Sequence, residues 1–213
     1  MDKFKERTSI VIGDQAIEKL DQASVIVFGL GGVGSYVVEA LARAGIGHLT
    51  LVDFDDVDIT NVNRQLPALH STLGCKKVDV VLDRVRDINP NIDVKGHICL
   101  YDETTSDQLL EDHYDYVVDA IDMVKSKIHL IETCYNRGLK IISSMGMGNK
   151  LDPCQIEISD IHKTEMCPLA KLVRKEAKQR GIKKLTVVYS KEKPSKPLVV
   201  EDDGSLERIN GSI

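Results

Sequence analysis

The chain has no tryptophan, and phenylalanine and tyrosine bring aromatics to only 4% of its 213 residues. Large rings cannot fill most of an interior, so the core is expected to be mostly aliphatic. Nowhere do 18 or more apolar residues follow one another, and the opening MDKFKERTS is charged with no apolar run behind it. Neither a membrane-spanning helix nor a secretory signal is therefore expected. The five cysteines, Cys75, Cys99, Cys134, Cys154 and Cys167, are an odd number, 24, 35, 20 and 13 positions apart. Without a C-x-x-C pair, that spacing argues against a zinc knuckle and a disulfide framework, and fits a reducing cytoplasm. The six histidines are scattered, none at ligand or triad spacing from a cysteine.

Charge is present but uneven. From Lys163 to Lys196 eleven Lys or Arg face three Glu, a local +8, which against the overall -5 leaves -13 for the remainder. A basic module on an acidic body is a candidate contact for a polyanion; a solvated helix face is the plainer alternative.

The stretch from Ser24 to Asp53 organises the chain. Val25 to Phe28 is a short, β-branched apolar run, read as a buried strand. Gly29, Gly31, Gly32 and Gly34 follow at once, then Val33, Val37, Val38, Leu41 and Ala42 recur at helical spacing until Gly45 and Gly47. A second apolar run, Leu49 to Val52, ends in Asp53. Such glycines let a backbone approach a phosphate at a helix N-terminus, and the acid can accept hydrogen bonds from ribose hydroxyls. The alternative is that the glycines serve only tight strand-helix packing.

Downstream, strands at 92–99, 116–120 and 139–144 alternate with helices at about 75–88, 105–112 and 128–138. This order predicts a doubly wound, mostly parallel α/β sheet of Rossmann type, with its ligand crevice at the carboxyl ends of the strands, where Asp53, Asp119 and Asp122 fall. Residues 8–20 suggest one or two short helices packed on that domain, and Arg7 before them reads as a surface charge. Residues 1–150 are expected to form the nucleotide domain and 151–213 a short basic extension. That extension holds an edge-type strand in QIEISDI, a helix from Pro168 to Arg180 and a strand near 184–189. The helix is expected to bury Leu169, Leu172, Val173 and Ala177 and to turn Lys171, Arg174, Lys175 and Lys178 outward. The segment SKEKPSKPLVVEDDGS is too polar and proline-broken to be expected to order.

The loop after Asp53 is rich in donors. Asn61, Arg64, Gln65 and the following Lys77 suit phosphates, and Asp122 across the crevice could hold magnesium through phosphate oxygens. A hydride-transfer site needs none of these, which favours a nucleoside triphosphate over the dinucleotide of an NAD-dependent oxidoreductase. A non-catalytic nucleotide-binding scaffold stays open.

Several motifs together resemble the adenylating domain of the ubiquitin-activating-like family, which includes the bacterial ThiF, MoeB and HesA proteins. They are R-x5-G from Arg7, GLGGVG, D-F-D-D-V-D-I-T-N-V-N-R-Q from Asp53 to Gln65, G-C-K-K with Lys77, and D-A-I-D at 119–122. The resemblance spans roughly residues 5–190. It implies that Gly29, Gly31, Gly32, Gly34 and Asp53, with Asp55 and Gln65, hold ATP, the acid on the ribose. Asn61, Arg64 and Lys77 would contact the phosphates, Asp122 would support Mg2+, and Arg7 would reach the partner's site across a homodimer. Arg7, Asn61, Arg64, Lys77 and Asp122 are then the expected catalytic set, and the reaction is attack of a carboxylate on the α-phosphorus of ATP. No general base is needed where positioning and charge neutralisation carry the catalysis.

Family members that adenylate the C-terminal glycine of a ubiquitin-like sulfur carrier resemble zinc proteins with two C-x-x-C pairs, which this sequence lacks, so no structural zinc is expected. From Gly146 onward the sequence resembles the tRNA threonylcarbamoyladenosine dehydratase branch, which implies tRNA as substrate and Lys171, Arg174, Lys175 and Lys178 as its contacts. A sulfur-transfer protein is a further implied partner. The branch carries a cysteine after the basic helix; here Thr186 to Ser190 has none, and Cys154 and Cys167 read as ordinary small residues. The family continues past a G-S-I element with an apolar segment that serves the dimer, so the C-terminus is expected to be truncated.

Overall fold

The computed structural model describes residues 3–111 and 113–195. The chain divides between residues 142 and 143 into two compact units. In the first, β1 (Ser24–Phe28) pairs in parallel with β2 (His48–Asp53) and with β4 (Tyr116–Asp119), and β2 pairs in parallel with β3 (Asp93–Ile98). The order is β3-β2-β1-β4-β5, with β5 at Ile141–Ser144. The chain leaves β1 toward β2 on one side and returns with β4 on the other, so the order reverses between β1 and β4. That is where the crevice of a doubly wound sheet opens.

Both faces of this sheet are covered, and β1 shows how. Val25 and Val27 point into a cluster with Leu49 and Leu51 of β2, Val38 and Ala42 of α3 (Gly34–Ala44), and Val78 and Val81 of α4 (Lys77–Ile88). Ile26 and Phe28, the alternate residues, point into a cluster with Val117, Leu130 and Cys134. The helix there is α6 (Val124–Arg137), preceded by the single turn α5 (Ser106–Leu109). Each fully buried aliphatic side chain contributes about 1.5 to 3 kcal/mol of transfer free energy. The first cluster is aliphatic as expected. The second uses several of the few aromatics, with Phe28 edge-on to Tyr101 at 4.9 Å.

Two expectations shift. Helix α4 begins at Lys77 and not Cys75, because Val57 N donates to Cys75 O at 2.8 Å and Asp56 bridges to Lys76. The pairing holds residues 75 and 76 extended. The amino-terminal helices are α1 (Glu6–Ile12) and α2 (Asp14–Gln22); α2 buries Ile17, but in α1 Ile10 and Val11 are 80% and 82% exposed. The apolar face of α1 is therefore not packed on the domain.

In the second unit β6 (Ile156–Asp160) and β7 (Thr186–Ser190) pair antiparallel, Ile156 opposite Ser190, and Met145 N donates to Val188 O at 2.8 Å. Helix α7 (Pro168–Gln179) follows β6 and buries Ala170, Val173 and Ala177. Leu172, expected inside, is 41% exposed. The buried stripe runs at i, i+3 and i+7 from Ala170, and Leu172 lies about 100° round the helix from Val173. The proline-broken stretch, expected not to order, is held over its first residues, 190–195: Leu151 N and Asp152 N donate to the Glu192 carboxylate and Ser195 N donates to Asn149 O at 2.7 Å. Its remainder and the final GSI, residues 196–213, lie outside the described residues.

Candidate active site

The turn after β1 is built by glycines that serve two different purposes. Gly29 has φ +88°, and a Cβ there would lie 2.7 Å from the Ala120 carbonyl oxygen; a Cβ on Gly34 would lie 1.7 Å from the Gly29 oxygen. These two are needed for close packing of turn, helix and the segment after β4. Gly31 and Gly32 are different: a Cβ on either would meet only Gln65 or Arg64, at 3.5 Å or beyond. Packing alone thus explains half of the pattern.

Asp53, at the end of β2, is buried and grips the turn directly. Its Oδ2 accepts from Leu30 N at 2.6 Å and its Oδ1 from Asp55 N at 2.8 Å. Burial lifts this carboxyl above its usual range, opposed by the two amide hydrogen bonds and the Lys77 charge. The acid expected to face a ribose therefore also holds the glycine turn in shape.

The donor-rich loop folds over that turn. Asp58 caps a 3-10 turn at Ile59–Asn61, accepting from Thr60 N at 2.8 Å, while Asn61 Oδ1 accepts from Asp58 N at 3.2 Å. Asn61 Nδ2 donates one N–H to Thr60 Oγ1 at 3.4 Å, and its second N–H is the one that a ligand can accept from. Arg64 lies with Cγ 3.5 Å from the Cβ position of Gly32, its Nη1 donating to Thr60 O and Asn63 Oδ1, both at 2.8 Å. Gln65 is buried beside Gly31, and its Oε1 has no hydrogen-bond partner among the described residues. Such an orphan costs about 1 to 3 kcal/mol unless a ligand or water satisfies it. Ser35 ties loop to turn, donating to Gly31 O at 2.6 Å and accepting from Leu66 N at 3.4 Å.

Lys77 opens α4 and is only 4% exposed. The pairing of residues 55–57 with 74–77 places its Nζ 2.8 Å from Asp55 Oδ2 and close enough to Asp53 to affect its titration. Asp122 follows β4, exposed and without a side-chain partner among the described residues, in the segment whose Ala120 abuts Gly29.

The structure therefore gathers Gly29, Gly31, Gly32, Gly34, Asp53, Asp55, Asn61, Arg64, Gln65, Lys77 and Asp122 around one turn of the first unit. It does not bring Arg7 to them: Arg7 is exposed on α1, with no side-chain partner among the described residues. On α7, Lys171, Lys175 and Lys178 are exposed, but Arg174 differs from expectation. It is half-buried, with Nη1 donating to Thr164 O and, at 2.7 Å, to Thr164 Oγ1. Its guanidinium braces the loop before the helix. Cys167 is buried at the N-cap of α7, where its Sγ accepts from Ala170 N at 3.5 Å, whereas Cys154 is exposed.

Asp119, expected at the ligand crevice, is instead sealed in the interior by a partner that the sequence reading did not name. Asp119 and Lys127 are both 0% exposed, with Nζ 2.8 Å from Oδ2. The signal was present: Lys127 stands in the same stripe as Leu130, Ile131 and Cys134, where a charged residue needs a buried partner.

The ThiF family pattern matches residues 6–190. The chain belongs to the ThiF family. Over 198 residues it is 48% identical to the tRNA threonylcarbamoyladenosine dehydratase of Bacillus subtilis, covering 92% of this chain and 77% of that one. The Haemophilus influenzae protein of the same name is 47% identical over 163 residues, 75% of this chain; the match spans 61% of the relative's length. The crystal structure of the Escherichia coli tRNA N6-threonylcarbamoyladenosine dehydratase in complex with ATP superposes with a TM-score of 0.87 at 36% identity. That match covers 92% of this chain and 86% of that one. The doubly wound, mostly parallel fold is thus that of this ThiF-family adenylation domain.

Proposed function

We propose that this protein is an ATP-dependent adenylating enzyme that activates the threonyl carboxylate of threonylcarbamoyladenosine in tRNA, then closes it by cyclising dehydration with release of AMP. The observation that carries the reading is Lys77. A nearly buried ammonium, delivered beside Asp53 and Asp55 at a glycine turn overlaid by Arg64 and Gln65, is a donor set for nucleotide phosphates. The dehydratases that share 47 to 48% identity name the reaction class.

In this reading Asp53 accepts from the ribose hydroxyls, and the glycine turn and the start of α3 face the phosphates. Arg64 and Lys77 neutralise charge on the α- to γ-phosphates, and the second N–H of the Asn61 amide donates to them, as a carboxylate oxygen of the substrate bonds to the α-phosphorus. The bond to the pyrophosphate oxygen breaks, and pyrophosphate leaves with that electron pair. The carbamoyl group of the same nucleoside then attacks the acyl carbon; AMP leaves, a ring closes, and the net change in the nucleoside is loss of one water. Preorganised donors of this kind supply transition-state stabilisation without a general base. No cluster of three His, Cys, Asp or Glu suited to a metal occurs among the described residues. A lone exposed carboxylate such as Asp122 fits an ion shared with phosphates and not a resident one. Magnesium bound there would screen phosphate charge.

Homodimerisation is supported by the exposed Ile10 and Val11 of α1, the helix that carries Arg7, which would then complete the partner's site. The basic face of Lys171, Lys175 and Lys178 suits the tRNA backbone. Cys154 is the exposed thiol of the second unit that a sulfur-transfer partner would meet. No helix among the described residues is long and apolar enough to cross a membrane, which agrees with a cytoplasmic tRNA-modifying enzyme. The test is AMP formation from ATP and magnesium with tRNA carrying threonylcarbamoyladenosine: release dependent on that tRNA is expected. Release stimulated only by a ubiquitin-like carrier protein would overturn the reading.

A further inference from the structure

The segment that carries Asp122 is held by a device the reaction does not obviously require. Asp119 ends β4, and its two carboxylate oxygens are divided: Oδ2 meets Lys127 Nζ at 2.8 Å, and Oδ1 accepts from Ile121 N at 3.0 Å. Lys127 sits in the first turns of α6, its own N–H donating to Met123 O at 3.0 Å. One buried ion pair therefore fixes both ends of residues 120–123. The first residue of that segment leans on the phosphate turn. Ala120 N donates to Phe28 O at 2.8 Å, and the Ala120 carbonyl is the atom that a Cβ on Gly29 would strike.

A fully buried ion pair is an inefficient way to stabilise a fold. Removing two charges from water offsets most of their attraction, and apolar replacements of similar volume are often neutral or stabilising. What such a pair does well is hold groups in one geometry. The neighbouring residues already supply apolar packing, Leu130, Ile131 and Cys134 being buried on the same helix.

We propose that the Asp119–Lys127 pair is a positioning element for the nucleotide and its magnesium: acting through the Ile121 amide, it sets Asp122 and the Ala120 carbonyl at a fixed place beside the glycine turn. Neither residue touches substrate. The proposal rests on the reading above that Asp122 supports the ion.

The test compares the wild-type protein with Asp119→Leu/Lys127→Met, which leaves no buried charge behind, with Lys127→Arg, which can still pair with Asp119, and with Asp122→Asn. Thermal melting, AMP binding without magnesium, and the magnesium midpoint for binding a non-hydrolysable ATP analogue are measured on each. The double variant is expected to melt near or above the wild type and to bind AMP within about twofold. Its magnesium midpoint should rise about tenfold, the scale on which supporting contacts tune a metal site. Its kcat for AMP formation should fall about 100-fold, as expected of misplaced groups. Lys127→Arg should keep the wild-type midpoint within about threefold. An unchanged midpoint and kcat in the double variant, or failure of that variant to fold, overturns the proposal. A wild-type midpoint in Asp122→Asn instead overturns the underlying assignment of Asp122.

Discussion

The Nζ of Lys77 lies 2.8 Å from Asp55 Oδ2 at the mouth of the glycine turn, and Lys77 is buried while Asp55 remains half-exposed. In the ligand-free protein the ammonium is neutralised by a carboxylate that water can solvate once the lysine turns to a phosphate. Lys77→Met keeps the buried stem and removes the charge. The expected outcome is a loss of at least about 100-fold in AMP formation, with a change in unfolding free energy of less than about 1 kcal/mol by urea denaturation.

The glycines separate packing from ligand approach. Gly34→Ala places a methyl group on the Gly29 carbonyl oxygen and should cost about 3 kcal/mol or more, seen as a large drop in melting temperature. Gly31→Ala meets only the end of Gln65 at 3.7 Å, so its melting temperature should stay within a few degrees of wild type while affinity for an ATP analogue falls about tenfold or more.

Arg84 reaches from α4 to Glu39 on α3, its Nε 2.6 Å from Oε2 and its Nη2 3.0 Å from Oε1. The Arg84 hydrogen bond holds the Glu39 carboxyl below its usual value. Between the folded and unfolded pKa values the unfolded chain binds more protons, so this contribution is complete above the unfolded value of 4.5 and is lost as pH falls through the folded one. Arg84→Ala should lower stability by up to about 1 kcal/mol at neutral pH and flatten its decline below about pH 4.5, measured by denaturation across pH 3 to 7.

On α7 the four basic residues should divide into two kinds. Replacing Lys171, Lys175 and Lys178 by alanine should reduce the slope of log affinity for tRNA against log salt by roughly 2 to 3 while leaving the melting temperature unchanged. Arg174→Ala should do the reverse, costing about 1 to 2 kcal/mol through its lost bonds to Thr164 and changing the salt slope by less than about 1. Filter binding at several salt concentrations, with a thermal melt of each variant, separates the two.

Much of this protein is legible in its sequence because its signals are local. The apolar, β-branched run of β1, the glycine turn and the acid at Asp53 each declare themselves within a few residues, and the alternation of strands with helices gives the doubly wound sheet. The misreadings come from contacts between distant residues. Helix α4 starts late because residues 55–57 pair with 74–77, a ladder that no window around Cys75 reveals. Arg174 reads as a surface charge because cations usually are, and Lys127 goes unremarked for the same reason; the hydroxyl and carbonyl of Thr164 and the carboxylate of Asp119 make them interior. The exposed Ile10 and Val11 on α1 invert the same error, apolar residues whose cover the domain itself does not provide.

The most direct test of the central claim is nucleoside mass spectrometry of tRNA bearing threonylcarbamoyladenosine after incubation with the protein, ATP and magnesium. The account predicts conversion of that nucleoside to a species lighter by one water, with one AMP formed for each conversion and none with Lys77→Met. An unchanged nucleoside mass, in a preparation that binds ATP and releases AMP, would contradict it.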